Sequence, residues 1–213
     1  MLSFFYVREI MTDVKAFVFD WGGVLIEDPL ENILKFCARH FGIEYPLFKK
    51  EFKKYANFFT CGKISETELW QKIGIQLKIV NAPKESLWEK AFEKNYQPRE
   101  LMFQLVHQLK NKNFITALLS NTELPSQNYF IKQNYTQFDF TIFSCSTGYA
   151  KPDQEIFFKL IHTIKCPASN IIFIDDKLKN IKSASSLGIK SIMFKNYEQT
   201  KSQLSTITGL NFL

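Results

Sequence analysis

The sequence predicts an α/β protein with a doubly wound parallel sheet as its core and an all-helical segment inserted after the first strand. Short apolar runs recur along the chain, and amphipathic helical patterns separate most of these runs from one another. Residues 28–97, in contrast, show helical patterns without strands. Alternating strands and helices indicate a parallel sheet because each helix returns the chain across one face of the sheet.

The first predicted strand covers residues 14–19 (VKAFVF) and ends at Asp20, which Gly22 and Gly23 follow closely. A continuous apolar run that ends in a sharp loop is typical of a strand buried on both faces. Similar runs predict further strands at residues 114–119, 140–143, 171–174 and 190–194. Helices with one apolar face are expected at residues 101–109, 156–164 and 178–187.

The inserted segment begins with Asp28 and Pro29, a helix cap followed by a proline suited to the first helical turn. Ser65 and Glu68 have the spacing of a capping box, which predicts another helix start. Two more helices are expected at about residues 46–57 and 84–94. An all-helical insert at this point of a parallel sheet is a candidate lid. We therefore predict a core formed by residues 1–27 and 98–213 and a cap formed by residues 28–97.

Composition argues for a globular protein. With 213 residues and 46% hydrophobic residues, the chain is long enough for one α/β domain and a modest insertion. The net charge of +6 comes with scattered lysines, without a basic stripe interleaved with aromatic residues. We therefore predict no nucleic-acid partner and no membrane partner, and the oligomeric state is left open.

The cysteines and the first residues of the chain bear on its location. No cysteine has CxxC or Cys/His metal-binding spacing. Arg8 and Glu9 interrupt the segment where a signal peptide needs a continuous apolar run, and no stretch approaches transmembrane length. We expect reduced thiols and a cytoplasmic location.

Polar side chains cluster where the predicted strands end. They are Asp20 after the first strand, Ser120 and Asn121 after the second, Lys151 after the third, and Asp175 and Asp176 after the fourth. Each alone has an ordinary explanation as a turn residue, a helix cap or a surface charge. Together they carry more weight, because ligands of an open parallel sheet bind beyond the carboxyl ends of its strands.

This combination of groups suits phosphoryl transfer to a carboxylate. Three neighbouring carboxylates repel one another unless a cation lies between them, and Mg²⁺ prefers such oxygen ligands together with phosphate. Asp20 could then attack phosphorus and form an aspartyl-phosphate that water hydrolyses. Ser120 and nearby backbone amides would hold the phosphoryl oxygens, while Lys151 would offset negative charge.

The segments FVFDWGGVL, LLSNT, YAKPDQEIF and FIDDKLKNIKSASSLGI resemble, in order and spacing, the motifs of haloacid dehalogenase-like (HAD) hydrolases. The resemblance covers residues 14–194 and implies a Rossmann-like core with a helical cap. The closest subgroup resembles bacterial glucose-1-phosphate phosphatases and the amino-terminal phosphatase domain of soluble epoxide hydrolases. A magnesium-dependent phosphatase of a small phosphorylated metabolite is the function that this resemblance implies.

The resemblance also implies a role for each site residue. Asp20 is the nucleophile, Ser120 binds the phosphoryl group and Lys151 stabilises charge. Mg²⁺ is held by Asp20, the backbone carbonyl of Gly22 and Asp176, with Asp175 in support. The predicted substrate-binding residues are Trp21, Gly22, Asn121 and, in the cap, Lys63.

Gly22 departs from the family pattern. Most phosphatases of this family carry a second aspartate there, which acts as a general acid and base, and losing such a group typically costs about 10²- to 10⁴-fold in rate. Two alternatives therefore stay open: a weakly catalytic or non-catalytic protein that binds a phosphorylated ligand or a partner, and a 2-haloacid dehalogenase. The dehalogenase needs no Mg²⁺, so the Asp175 and Asp176 pair argues against it.

Overall fold

The computed structural model describes residues 13–79 and 83–212 of the chain. The predictions made for Arg8 and Glu9 lie outside these residues. In the described part, one sheet is formed by β1 (Ala16–Phe19), β2 (Ile115–Ser120), β3 (Phe140–Phe143), β4 (Ile171–Asp175) and β5 (Lys190–Met193). The strand order is β3-β2-β1-β4-β5, and every neighbouring pair is parallel. The predicted α/β fold is confirmed.

The described helices are, in chain order, α1 (Leu30–His40), α2 (Tyr45–Lys53), α3 (Ala56–Thr60), α4 (Glu66–Leu77), α5 (Leu87–Asn95), α6 (Glu100–Asn111), α7 (Leu124–Lys132), α8 (Ser144–Thr147), α9 (Gln154–Ile164), α10 (Leu178–Ser186) and α11 (Tyr197–Thr208). Helices α1 to α5 lie between β1 and α6 in the chain and correspond to the predicted cap. The division into a core and a cap at residues 28 and 97 stays a prediction.

Alternate residues of β1 pack into two apolar layers. Phe17 and Phe19 belong to the layer covered by α6, whereas Ala16 and Val18 belong to the layer covered by α9 and α10. All four side chains are fully buried. A strand covered on both faces needs apolar residues at every position, which is why β1 has a continuous apolar run.

The register of the sheet determines which residues meet at its carboxyl edge. Phe19 of β1 pairs with Leu118 of β2 on one side and with Ile174 of β4 on the other. The chain continues from these positions to Asp20, to the end of β2 at Ser120 and to the end of β4 at Asp175. Parallel pairing therefore brings these strand ends to the same edge.

The helical predictions for the insert need corrections at their bounds. The helix expected at residues 46–57 is divided into α2 and α3, because Lys54 and Tyr55 donate backbone hydrogen bonds three residues back, to Glu51 and Phe52, which tightens and ends the first helix. The helix expected from residue 84 begins at Leu87 instead. The capping box that opens α4 is formed as predicted.

Trp88 of α5 lies where the insert meets the core. Within the insert it stacks on Phe52, and its ring centroid lies 5.0 Å from that of Phe59. The indole Nε1 of Trp88 donates to Ser126 Oγ of α7 at 3.1 Å. The hydroxyl of Ser144 donates to the backbone carbonyl of Thr60 at 2.7 Å. These two hydrogen bonds join the insert to the core at separate places.

The sequence pattern did not predict α7, α8 or α11. In α7, Leu124 and Ile131 are exposed while Phe130 is buried, so its apolar residues do not follow one face. None of the helices in the described ranges is long and apolar enough to span a membrane.

Candidate active site

A cavity of about 230 Å³ lies where the carboxyl edge of the sheet meets the inserted helices. The core contributes Asp20, Trp21, Gly22, Ser120, Asn121, Lys151 and Asn180 to its lining, and the insert contributes Ile33, Thr60, Trp88 and Phe92, among others. Polar residues that follow β1, β2, β3 and β4 therefore line one cavity, whereas Asp175 and Asp176 are not part of its lining. The walls provided by the insert are mostly apolar.

Asp20 lies directly after β1 and is held by hydrogen bonds of its backbone and its carboxylate. Its N–H donates to the carbonyl of Ile174 at 2.9 Å. Its Oδ1 accepts from the N–H of Trp21 at 2.7 Å and lies 2.8 Å from Lys151 Nζ. Burial raises the pKa of Asp20; Lys151 opposes this shift and the neighbouring Asp175 adds to it. Negative charge at Asp20 is thus costly unless positive charge lies close by.

Lys151 has a fully buried ammonium group that makes three contacts. It lies 2.8 Å from Asp20 Oδ1, 2.8 Å from Asp175 Oδ2 and 2.8 Å from the carbonyl oxygen of Leu119. An ammonium group has three N–H donors, so these contacts use all of them. Lys151 is therefore suited to balancing charge and orienting the two carboxylates.

Asn121 holds the backbone of Lys151. The side-chain amide of Asn121 donates to the Lys151 carbonyl at 2.8 Å, and its oxygen accepts from the Lys151 N–H at 2.8 Å. Asn121 also lines the cavity. Its predicted contact with substrate stays a prediction, whereas the structure shows that it positions the lysine.

Asp175 is the most highly bonded carboxylate of the site. It accepts from the N–H of Lys177 at 2.7 Å and from Asn180 Nδ2 at 2.9 and 3.0 Å, in addition to Lys151. Burial acts to raise its pKa, but the charge of Lys151 and the hydrogen bonds from Lys151, Lys177 and Asn180 together outweigh burial, so the pKa of Asp175 is lowered. Asn180 was not predicted from the sequence because, one turn into α10, it has the pattern of an ordinary polar helix residue.

Oxygen atoms of Asp20, Asp175 and Asp176 all lie within 4.8 Å of one another. Oδ1 of Asp176 is buried and has no hydrogen-bond partner among the described residues, and burial raises the pKa of Asp176. Gly23 has φ +93°, and a Cβ there would lie 2.4 Å from Asp176 Oδ2, so only glycine leaves room for this carboxylate. Three hard carboxylates close together, one of them with a buried and unpartnered oxygen, fit Mg²⁺.

Ser120, Trp21 and Gly22 lie beside Asp20 in the cavity lining. Ser120 is buried, and its Oγ accepts from Thr122 Oγ1 at 2.6 Å. The indole of Trp21 packs on Phe92 with 5.0 Å between ring centroids. Trp21 therefore contributes its backbone N–H to the site, where it contacts Asp20, and its ring to the core.

Gly22 has room for a side chain. Its φ lies outside the left-handed region, and an added Cβ would meet only Pro29 Cδ, at 3.8 Å. The missing aspartate is therefore not excluded by backbone geometry or by space.

Lys63 does not line this cavity. It lies in a separate groove with Ser65 and Glu68, beyond the turn at Gly62. Gly62 has φ +65°, and a Cβ there would lie 2.2 Å from the carbonyl oxygen of Cys145, so this turn rests directly on the core. The predicted role of Lys63 in binding substrate gains no support from this placement.

Thr60 and Glu123 also line the cavity, and Glu123 was not identified from the sequence. Thr60 Oγ1 donates to Glu123 Oε1 at 2.8 Å, which joins the insert to the segment before α7. Burial raises the pKa of Glu123. The one local signal is that Glu123 directly follows the Ser-Asn-Thr segment at the end of β2.

Comparison with known proteins agrees with this geometry. The chain is 30% identical over 118 residues to bifunctional epoxide hydrolase 2 of Sus scrofa, a match that covers 53% of this chain and only 21% of that protein. It is 23% identical over 206 residues to a sesquiterpene phosphatase of Aspergillus oryzae, covering 93% of this chain and 98% of that protein.

The fold is shared with HAD family enzyme bt-2542 of Bacteroides thetaiotaomicron, solved in complex with magnesium and inorganic phosphate. The TM-score is 0.66 with 22% identity, covering 85% of this chain and 94% of that one. Residues 14–188 match the family described as haloacid dehalogenase-like hydrolase. The chain therefore belongs to the haloacid dehalogenase-like hydrolases.

Proposed function

We propose that this hydrolase is a magnesium-dependent phosphatase of a small phosphorylated metabolite and that it works through an aspartyl-phosphate on Asp20. The observation that carries the proposal is the arrangement of Asp20, which lies at the cavity, is paired with the buried Lys151 and has two further carboxylates within 4.8 Å. This arrangement combines a nucleophile, a fixed positive charge and a set of oxygen ligands for a cation.

Mg²⁺ would be held by Asp20, Asp176 and the backbone carbonyl of Gly22, with Asp175 in support. When bound, it supplies the positive charge that lets an anionic carboxylate approach a phosphate. Asp175 suits a supporting role because Lys151 and Asn180 already occupy its oxygens. Asp176 suits direct ligation because its buried Oδ1 has no partner among the described residues.

The hydrogen bonds of Asp20 distinguish its two oxygens. The N–H of Trp21 and the ammonium of Lys151 both contact Oδ1. We therefore assign Oδ2 to attack on phosphorus, with Oδ1 fixing the plane of the carboxylate. Ser120 Oγ and the backbone N–H groups that follow Asp20 are the donors available to the phosphoryl oxygens.

The cavity supports a small substrate. Its volume of about 230 Å³ is below the range of roughly 300–1,000 Å³ that is typical of ligand pockets. Ile33, Trp88 and Phe92 provide apolar walls on the side of the insert. The magnesium and phosphate bound by the similar bt-2542 enzyme and the activity named for the sesquiterpene phosphatase also support phosphatase chemistry.

The experiment is a phosphatase assay on p-nitrophenyl phosphate in Mg²⁺ and in EDTA, with Asp20→Asn as the matched control. We expect turnover in Mg²⁺, loss of turnover in EDTA, and none above background for the variant. Full activity in EDTA, or substantial activity of Asp20→Asn, would contradict the proposal. A panel of phosphorylated metabolites that includes sugar 1-phosphates would then identify the substrate.

The 2-haloacid dehalogenase alternative predicts a different result in the same preparation. It would use Asp20 on carbon, and Gly22 is compatible with it. The buried and unpartnered oxygen of Asp176 favours the phosphatase, because a dehalogenase has no use for a cation at this position. Halide release from a 2-haloacid in EDTA, without phosphatase activity in Mg²⁺, would establish the alternative.

A further inference from the structure

Gly22 leaves the second position after the nucleophile without a carboxyl group, so a proton for a basic leaving group has to come from elsewhere in the cavity. Among the described residues that line the cavity, the ionisable side chains are those of Asp20, Asp28, Glu123, Lys151 and Lys177. The contacts of each show which of them can carry the proton.

Four of these side chains are unsuited to this task. Asp20 is assigned to phosphorus, and the three donors of Lys151 are engaged. Asp28 Oδ1 accepts from the N–H of Leu30 at 3.0 Å, and its Oδ2 lies 3.8 Å from Lys177 Nζ. The side chains of Asp28 and Lys177 are 49% and 47% exposed. Although burial acts to lower the pKa of Lys177, the neighbouring carboxylates of Asp20 and Asp28 raise it, so this ammonium holds its proton tightly.

Glu123 is held between the core and the insert. It lies three residues after Ser120 and directly before α7, so a short segment joins it to the phosphoryl end of the cavity. Its Oε1 accepts from Thr60 Oγ1 at 2.8 Å, and the indole of Trp88 lies beside the same carboxyl group. Side chains of the insert therefore hold this carboxyl group in the lining of the cavity that Asp20 also lines.

The surroundings of Glu123 also favour a carboxyl group that can keep its proton. Burial raises the pKa of Glu123, the hydrogen bonds from its own backbone and from Thr60 oppose this shift, and the charge of Asp28 adds to it. A general acid and base needs a pKa raised in this direction, so that the proton can be given up and recovered near neutral pH.

We propose that Glu123 is the general acid and base of this protein, replacing the carboxyl group that is missing at Gly22. This proposal rests on the phosphatase function proposed above. Because Thr60 belongs to the insert, its hydrogen bond helps to orient the acid where the insert contacts the core. Esters of basic alcohols, such as sugar or other alkyl phosphates, are the substrate class that needs such an acid.

The proton and the bonds balance over two steps. Asp20 Oδ2 first bonds to phosphorus, the bond between phosphorus and the ester oxygen breaks, and that oxygen takes the proton of Glu123 as the alcohol leaves. Water then attacks phosphorus and passes a proton to the Glu123 carboxylate, while the bond from phosphorus to Asp20 breaks and returns its electron pair to Asp20. The products are the alcohol and inorganic phosphate, and both carboxyl groups return to their initial states.

The test compares Glu123→Gln with the wild type on two substrates. The nitrophenolate of p-nitrophenyl phosphate leaves without a proton, whereas the alkoxide of glycerol phosphate needs one. The ratio kcat/KM covers the steps up to departure of the leaving group, so the later hydrolysis does not affect it. We expect kcat/KM to fall about 10²- to 10⁴-fold on glycerol phosphate and less than about tenfold on p-nitrophenyl phosphate.

Two further variants complete the test. Gly22→Asp in the Glu123→Gln background should restore much of the activity on glycerol phosphate, because an added Cβ at Gly22 meets only Pro29 Cδ at 3.8 Å. Thr60→Val removes the hydrogen bond to Glu123 but keeps the carboxyl group. It should therefore lose less activity on glycerol phosphate than Glu123→Gln does.

Each remaining outcome overturns the proposal. Equal loss on both substrates, loss on neither, or equal loss in Thr60→Val and Glu123→Gln would show that Glu123 is only a contact between the insert and the core. A wild type without Asp20-dependent turnover of either substrate would overturn the phosphatase function and this proposal with it. An active wild type with uniform loss in the variant would overturn only the role of Glu123.

Discussion

Asp20→Asn should stabilise the metal-free protein, and the gain should grow as the pH rises above about 4. Burial raises the pKa of Asp20, so the folded state holds this proton more tightly than the unfolded state does. An unfolded aspartate ionises near pH 4. Between that pH and the raised pKa of the folded state, the unfolded chain has lost its proton while the folded chain keeps it, so stability falls as pH rises.

The expected size of the gain follows from the burial of this carboxyl group, which is 4% exposed. Each unit of pKa difference between the folded and unfolded states corresponds to about 1.4 kcal/mol. For a chain of this size, 1 kcal/mol moves Tm by roughly 2–4 °C. Since the pKa of Asp20 is raised to about 7, and one unit of that difference is already enough for this gain, we expect Tm of Asp20→Asn to exceed that of the wild type by about 3 °C or more at pH 8 in EDTA.

The assay is thermal unfolding of both proteins from pH 4 to 8 in EDTA, repeated in Mg²⁺. The proposed function requires Mg²⁺ to bind the folded state through Asp20, so Mg²⁺ should raise Tm of the wild type more than that of Asp20→Asn. Tm curves that stay parallel across this pH range, or a variant that is less stable than the wild type at pH 8, would refute the argument from buried charge.

Asp139→Asn provides a control of opposite sign. Although burial acts to raise the pKa of Asp139, hydrogen bonds from Thr116 and Lys110 outweigh it and hold the pKa below its usual range. The stabilisation from Asp139 is therefore present above about pH 4 and lost as pH falls through its lowered pKa. Asp139→Asn should be less stable than the wild type at pH 8, and the difference should fade in acid.

Three further predictions concern the metal, Gly22 and the turn at Gly62. EDTA should abolish phosphatase activity and Mg²⁺ restore it, whereas Asp176→Asn should stay inactive at Mg²⁺ concentrations that saturate the wild type. Gly22→Asp should fold with a Tm equal to or above that of the wild type, since its φ is outside the left-handed region and its Cβ has room; a fall of several degrees would contradict this. Gly62→Ala and Gly42→Ala both place a side chain at positive φ, but only Gly62 meets the core, with 2.2 Å from its Cβ to the Cys145 carbonyl oxygen. Gly62→Ala should therefore lose at least about 1 kcal/mol more stability than Gly42→Ala, and faster hydrogen exchange in residues 58–64 should accompany the loss; equal losses would mean that the close approach to Cys145 carries no cost.

The sequence predicts elements best where burial imposes one simple pattern. β1 is covered on both faces, so all of its positions are apolar and its end at Asp20 is easily recognised. The capping box of Ser65 and Glu68 is likewise a local signal with a local cause. In α7, by contrast, Leu124 and Ile131 are exposed, so the helical period of apolar residues is absent and the helix escapes prediction.

The candidate site was predictable to the extent that it depends on strand ends. Residues that end neighbouring parallel strands meet at one edge, so the order of apolar runs is enough to place Asp20, Ser120 and Asp175 together. Lys63 shows the limit of this argument. It belongs to the insert, and a turn that rests on Cys145 separates it from the cavity.

The sequence by itself determined which chemical groups meet at the carboxyl edge of the sheet, because the apolar strands define the edge and parallel pairing aligns their ends. Only the tertiary structure decided what the insert adds to them. Thr60 and Glu123 are 63 residues apart in the chain, and their hydrogen bond depends on how the helices of the insert pack against α7. No local pattern specifies such a contact, since it results from the packing of two apolar surfaces that are formed independently.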